Sequence, residues 1–373
     1  LFKDHVAHLV EALTGKLELG PRPKDLPRVM AQLALAGPGN CALRALRRVA
    51  PELPPDDPTI LSAAAQIAEG LRTLFNLPET ICLLRGEGDE TYWRLTLRYG
   101  LEGNLQSLLD EQVHILLDSL GLAFQSPQER VKAIGQSLAG ALSLRTARVS
   151  IDEIIIGNNG LHFDPFNCRV RFALRFGDLK DDNDAILARA EIVREAFNSP
   201  FRPFILASTS IGQEGLDFHN WCHTVMHWNL PANPVDLEQR EGRVHRYKGH
   251  AIRKKIAKKF GLTALNEWDR QGDPWAFLFQ KATANRPRGS SDLVPFWIFE
   301  LEDGAHIERW VPLLPFSREV QQLERLKRSL ALYRLVFGQP RQEDLLAHLT
   351  ERVSPEQAEG LAHAWRISLA PPA

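Results

Sequence analysis

No two cysteines in this 373-residue chain stand at CxxC spacing. The four that occur, Cys41, Cys82, Cys168 and Cys222, are scattered. That argues against a zinc ribbon or a disulfide framework and points to a reducing, cytoplasmic setting. There is no apolar run of the ~18 residues a membrane-crossing helix needs, and no secretory leader is read at the start. The chain opens on Leu1 inside what reads as a helix, so it is expected to be part of something longer. Charge of either sign is not in excess: 45 Lys and Arg face 46 Asp and Glu, a net −1. A global field drawing the protein to nucleic acid or membrane is therefore excluded, and any such attraction must come from local patches. Internal repeats and low-complexity segments are also lacking. What remains is an ordinary globular balance, 44% hydrophobic and 24% charged, with length enough for two or three domains.

Residues 1–147 read as helical. Val6, Leu9, Val10 and Leu13 fall on one face at helical spacing. A second helix runs through DLPRVMAQLALAG and stops at Gly37-Pro38. In DDPTILSAAAQIAEGLRTLF, Asp57 is placed to cap and Pro58 to occupy the first helical position. From about residue 148 the texture changes. ARVSIDEIIIG and CRVRFALRFG are rich in β-branched and aromatic residues and read as strands. DNDAILARAEIVREAFN reads as an amphipathic helix, PFILAST as a short buried strand over 204–208, and HTVMHWNL as a further strand. Asn233 as cap, then Pro234, Asp236 and Glu238, open another helix. This alternation implies α/β architecture with a parallel sheet over 148–285. Residues 286–373 read as a mainly helical extension, with a hairpin around Asp303-Gly304 and a strong amphipathic helix through SREVQQLERLKRSLALYRLVFG.

The chemistry concentrates in two stretches. In FILASTSIGQEGLDFH the strand delivers Thr209 and Ser210 to its carboxyl end, where hydroxyls can bond phosphate oxygens. Gly212 and Gly215 permit a tight turn and a close ligand approach, and Asp217 can accept from a ribose hydroxyl. An ordinary strand-to-helix turn would look much the same. In LEQREGRVHR, a helix continued from Pro234 would put Gln239, Gly242, Arg243 and Arg246 on one face. A helix-interior glycine asks for a reason, and close approach of another group is the usual one. Guanidinium groups on a rigid helix suit phosphate oxygens and the charge that develops in phosphoryl transfer. A solvated basic face is the plainer alternative. The run RYKGHAIRKKIAKKF is locally basic, and Lys254 and Lys255 are candidates for nucleic-acid phosphates. His219, Cys222, His223 and His227 are possible zinc ligands by type. A strand would throw neighbours to opposite faces, so no metal site is expected.

These residues resemble a known family. TSIGQEGLD looks like motif V of superfamily 2 helicases, and QREGRVHR matches their motif VI pattern Q-x-x-G-R-x-x-R at every fixed position. WNLPANPVDLEQREGRVHRYKG is similar to the corresponding stretch of Swi/Snf-like ATPases. The resemblance covers about residues 170–260. It implies a RecA-like lobe, the second of an ATP-driven translocase acting on DNA or, second, RNA. Arg243 and Arg246 would then reach the ATP γ-phosphate, with Gln239 and Gly242 at the nucleotide cleft. Gly215 and Asp217 would support the nucleotide or the lobe interface. Thr209, with Ser210 and Gly212 beside it, would contact a nucleic-acid phosphate. The helical and terminal additions lean towards phage defence among bacterial roles.

The first lobe's G-x-x-x-x-G-K-[ST] is not found. VEALTGKL lacks the first glycine and continues into Leu17; LLDEQVH imitates the Mg²⁺-binding D-E-x-H box but lies in a helical stretch with no buried strand before it, and its His114 is one residue too far along. ATP and Mg²⁺ are thus expected to bind mainly to a first lobe upstream in the same gene or on a partner, and this chain alone is expected to be inactive. The alternative is a non-catalytic nucleic-acid-binding or scaffolding module with a degenerate helicase lobe.

Overall fold

The computed structural model of the protein describes residues 2–17, 20–85, 90–143, 147–157, 160–170, 192–201, 203–207, 217–312, 317–335 and 342–364. Among the described residues eight α-helices precede the first strand: α1 (Phe2–Leu13), α2 (Leu26–Ala36), α3 (Pro38–Val49), α4 (Pro58–Phe75), α5 (Pro78–Arg85), α6 (Tyr92–Leu101), α7 (Asn104–Ser119) and α8 (Pro127–Leu142). The expected start of α4 is borne out. The Asp57 carboxylate accepts from the backbone N–H groups of Thr59 and Ile60 at 2.8 and 3.4 Å, satisfying two of the donors a helix start leaves unpaired. α8 opens on a reciprocal cap, Ser126 with Glu129. Ile60, Ala63, Ala64, Ile67 and Leu71 line one stripe of α4, all buried, at the spacing that defines a helix face. That stripe meets α3, α7 and α8 in the larger core, through Leu46, Leu109, Val113, Ile134 and Leu138. Each fully buried Leu or Ile stabilises by roughly 1.5–3 kcal/mol. The α4–α8 crossing is close because it has glycine on both sides: a Cβ at Gly135 would lie 2.7 Å from Ala63 Cβ, and one at Gly70 2.7 Å from Leu142 Cβ.

β1 (Ala147–Gly157) and β2 (Gly160–Val170) form an antiparallel hairpin with Ala147 opposite Val170 and Gly157 opposite Gly160. The first strand stands where the sequence places it. The second begins at Gly160 rather than near Cys168, and residues 171–177 lie outside the described residues. Residues 192–197 are helical (α9). Its Ala196, with Phe201 beyond it, packs into the core of the helical region.

β3 (Thr224–Met226), α10 (Pro234–Gly242), α11 (His250–Glu267), α12 (Pro274–Ala284) and β4 (Glu308–Trp310) follow, then α13 (Glu319–Leu335), α14 (Gln342–Arg352) and α15 (Pro355–Ala364). β3 and β4 pair in parallel, Thr224 opposite Glu308 and Met226 opposite Trp310. Two expectations are corrected here. Residues 203–207 form no strand: Phe204 and Ile205 are 71% and 87% exposed, and among the described residues no strand pairs with them. The hairpin expected at Asp303-Gly304 is a turn with Asp303 at φ 55°, and the chain beyond it joins β3 instead. The β3–β4 ladder thus crosses the expected boundary at 285/286. α10 and α13 cross it too, sharing a small core of Leu230, Leu237 and Leu326. A further core of Ile252, Ile256, Leu278, Phe279 and Phe299 joins α11 to α12.

Candidate functional site

α10 begins as the sequence indicates. The Asn233 side chain accepts from Asp236 N–H at 2.8 Å, with Pro234 in the first turn. Its end differs from expectation. The helix stops at Gly242, and the N–H groups of Arg243 and Val244 turn back three residues, to Arg240 O and Glu241 O. The Arg243 carbonyl leaves the helical ladder and accepts from Phe218 N–H at 2.9 Å. Val244 is pulled into the interior at 4% exposure. Gln239, Gly242, Arg243 and Arg246 therefore do not share one helix face. Gly242 falls in the last turn, where an added Cβ would meet only Arg246 Nη1 at 3.6 Å, an ordinary contact. The steric reason expected for that glycine is not found.

Residues 243–249 instead form a tight loop that, with His250 at the head of α11, lies against segment 217–220. Phe218 N–H bonds Arg243 O, and His250 N–H bonds His219 O at 2.9 Å. Gly249 fits close beneath, where a Cβ would stand 3.0 Å from Arg246 O. This folding brings Arg246 to Asp217: Nε donates to Oδ1 at 2.9 Å. The two residues come from different expected motifs and meet in one ion pair. A cavity of about 290 Å³ opens beside them, lined by Asp217, His219, Arg246 and Lys248 of the lobe and by His114 and Asp118 of α7.

α7 was not singled out in the sequence for this place. Its Glu111, His114 and Asp118 lie three and four residues apart and so share one face. Glu111 Oε1 accepts from Arg253 Nε at 2.7 Å, and Asp118 Oδ2 accepts from Lys248 Nζ at 2.6 Å. His114 lies between Asp273 and Lys248 Nζ, the latter at 3.3 Å from Nε2. A neutral imidazole with its proton on Nδ1 satisfies both contacts. Gln112 on the adjoining face accepts from Trp221 Nε1 at 2.5 Å. Every cation in the cavity wall has an acid: Arg246 has Asp217, Lys248 has Asp118 and Arg253 has Glu111.

Burial sets the charge states nearby. It pushes His219 down to about 4, against the pull of Asp217. It pushes His250 down to about 3, helped by the Arg253, His223 and Lys254 charges. Burial also tends to raise Glu241, but hydrogen bonds to His227 and Arg309 outweigh it and hold the carboxyl at about 2.

Residues 187–248 match the family model described as the helicase conserved C-terminal domain. The match supports a helicase-type C-terminal lobe, a domain type that implies a RecA-like fold. The chain matches no curated protein and no solved structure. The matched segment holds all of the motif V and motif VI candidates. Thr209, Ser210, Gly212 and Gly215 lie outside the described residues. Asp217 and Arg246 are brought together, whereas Gln239 is exposed on α10 and lines no part of the cavity. Arg243 is partly buried at the helix end.

The basic run divides by burial. Arg253 is fully buried, with Nη1 donating to Lys248 O at 2.6 Å and Nη2 to Asn220 O. Lys255 is half-buried, and burial lowers its pKa. Lys258 donates to Asp303 O at 2.6 Å. Lys254 is exposed. Among the described residues no group of three or more His, Cys, Asp or Glu is placed to hold a metal. His223 Nδ1 meets His250 Nδ1 at 3.3 Å, while His227 meets Glu241. No helix among the described residues is long and apolar enough to cross a membrane.

Proposed function

We propose that this chain is the C-terminal motor lobe of an ATP-dependent helicase or translocase of the Swi/Snf-like superfamily 2 type, acting on DNA. The observation that carries the reading is the coincidence of the family match with the Asp217–Arg246 pair at 2.9 Å. Residues from two motifs 29 positions apart in sequence meet beside a cavity. The chemistry of the donors fits a nucleotide phosphate, since guanidinium groups bind phosphate oxygens bidentately and keep their charge. The Arg246 side chain is 38% exposed and its Asp217 partner 47%, so the pair is weak, about 0–1 kcal/mol. A phosphate of higher charge can displace that carboxylate. In this reading Arg243 and Arg246 stabilise charge at the transferred phosphoryl group, and Asp217 keeps Arg246 oriented until then. ATP and Mg²⁺ would be held mainly by a first lobe upstream or on a partner, and bound ATP would supply the phosphoryl group. Thr209, Ser210, Gly212 and Lys254 would face nucleic acid. Lys255 is a weaker candidate than the sequence suggests, because its ammonium is half-buried.

The test is nucleic-acid-stimulated ATP hydrolysis by a protein joining this chain to its first lobe. Arg243→Ala and Arg246→Ala are each expected to lower kcat by about 10³-fold or more, the range of an arginine finger. Wild-type turnover in both variants would sink the arginine assignment.

A further inference from the structure

The helical region is not a passive neighbour of the lobe. Three side chains on one face of α7 grip the segment that carries Arg246. Glu111 binds Arg253, whose guanidinium also donates to Lys248 O and Asn220 O. One buried side chain thus ties together α7, the loop after Arg246 and the segment after Asp217. Asp118 binds the Lys248 ammonium, and His114 bridges that ammonium to Asp273 at the head of α12. The Lys248 N–H is spent on Phe296 O at 2.8 Å, so the loop is anchored by backbone and side chain alike. Arg246 lies two residues before Lys248, and its carbonyl accepts from Gly249 N–H. A shift of α7 along its axis must move this loop, because a fully buried guanidinium with three partners leaves it no slack.

We propose that α7 is a regulatory lever for the arginine loop: Glu111 and Asp118 are positioning residues that set where Arg246 stands, so that whatever moves the helical region alters the motor site. The arginine's role rests on the function proposed above; the mechanical coupling does not. Glu111 lies outside the cavity lining, while His114 and Asp118 line it beside Lys248. Their influence passes through Lys248 and Arg253.

The coupling is read by hydrogen–deuterium exchange on this chain, comparing wild type with Asp118→Asn and Glu111→Gln. Asp118 is partly exposed, so its amide variant is the milder of the two. Exchange over 243–250 is expected to quicken at least tenfold while α3, α4 and α8 keep their protection. Unchanged exchange in both variants overturns the proposal. So does quickening spread evenly over the helical core, which would mark plain loss of stability. In the protein carrying both lobes, Asp118→Asn is expected to lower kcat about tenfold at unchanged KM for ATP, and Asp118→Glu to recover most of it. Faster loop exchange with unchanged kcat also overturns the lever. Absent turnover in wild type would count against the helicase reading alone, leaving the coupling to be decided by exchange.

Discussion

Two arginines that line the cavity, Arg246 and Arg253, each bind one carboxylate, yet burial gives them opposite characters. The Arg246 side chain is 38% exposed and its partner 47%, whereas Arg253 is 1% exposed and Glu111 16%. Water screens the first pair, so its partner can be exchanged. The second sits where a lone charge is costly, so it is fixed. Asp217→Asn should therefore free Arg246 with little loss of stability. Its modification by phenylglyoxal, followed on the peptide carrying residue 246, should speed up several-fold. An unchanged rate would show that Asp217 does not hold it. Glu111→Ala should instead leave a buried guanidinium without its counter-charge and cost about 3–5 kcal/mol in urea unfolding. A cost below 1 kcal/mol would show that the guanidinium finds water.

At the scale of elements, α10 shows how a helix end makes a site. If the helix had run on, Arg246 would point from a rigid cylinder. Because Arg243 O is taken by Phe218 N–H, the chain turns and lays Arg246 against Asp217. Gly242 is not needed for close packing in this arrangement. Gly242→Ala should leave stability within about 1 kcal/mol of wild type, since alanine is the better helix former. Gly135→Ala is the contrast, because its methyl would lie 2.7 Å from Ala63 Cβ and force α4 and α8 apart, a loss of roughly 1–3 kcal/mol. Urea midpoints of the two variants, measured side by side, check both. The caps at Asp57 and Asn233 and the apolar stripe of α4 were legible in the sequence because each depends on residues within a few positions. The missing strand at 203–207 was not, since a run such as PFIL becomes a strand only where another strand pairs with it.

For the whole molecule, acid should separate the lobe from the helical region. His219 and His250 have folded pKa values of about 4 and 3, below their ordinary 6.5. Between those limits the unfolded chain binds more protons, so stability from these groups falls as pH drops below 6.5. Glu241, held at about 2 against an ordinary 4.5, adds to the loss below 4.5. Asp110 in α7 goes the other way: burial raises it to about 6 despite the Arg48 charge, so protonation there favours the folded state as pH falls from 6 towards 3.8. Pulse-labelled exchange at pH 4.5 should show residues 217–253 opening while the α3–α4–α8 core stays protected; simultaneous opening would contradict this ordering. The sequence by itself determined the helical character of residues 1–147, the capped starts of α4 and α10, the arginine-bearing segment and its resemblance to a helicase lobe, because periodicity, caps and motif spacing are short-range. Only the tertiary structure decided what those residues meet. Glu111 reaches Arg253 across 142 positions, and β4 finds β3 with Thr224 opposite Glu308. No local pattern encodes contacts at such separation, because they exist only once the cores have closed and brought buried charges within reach of one another.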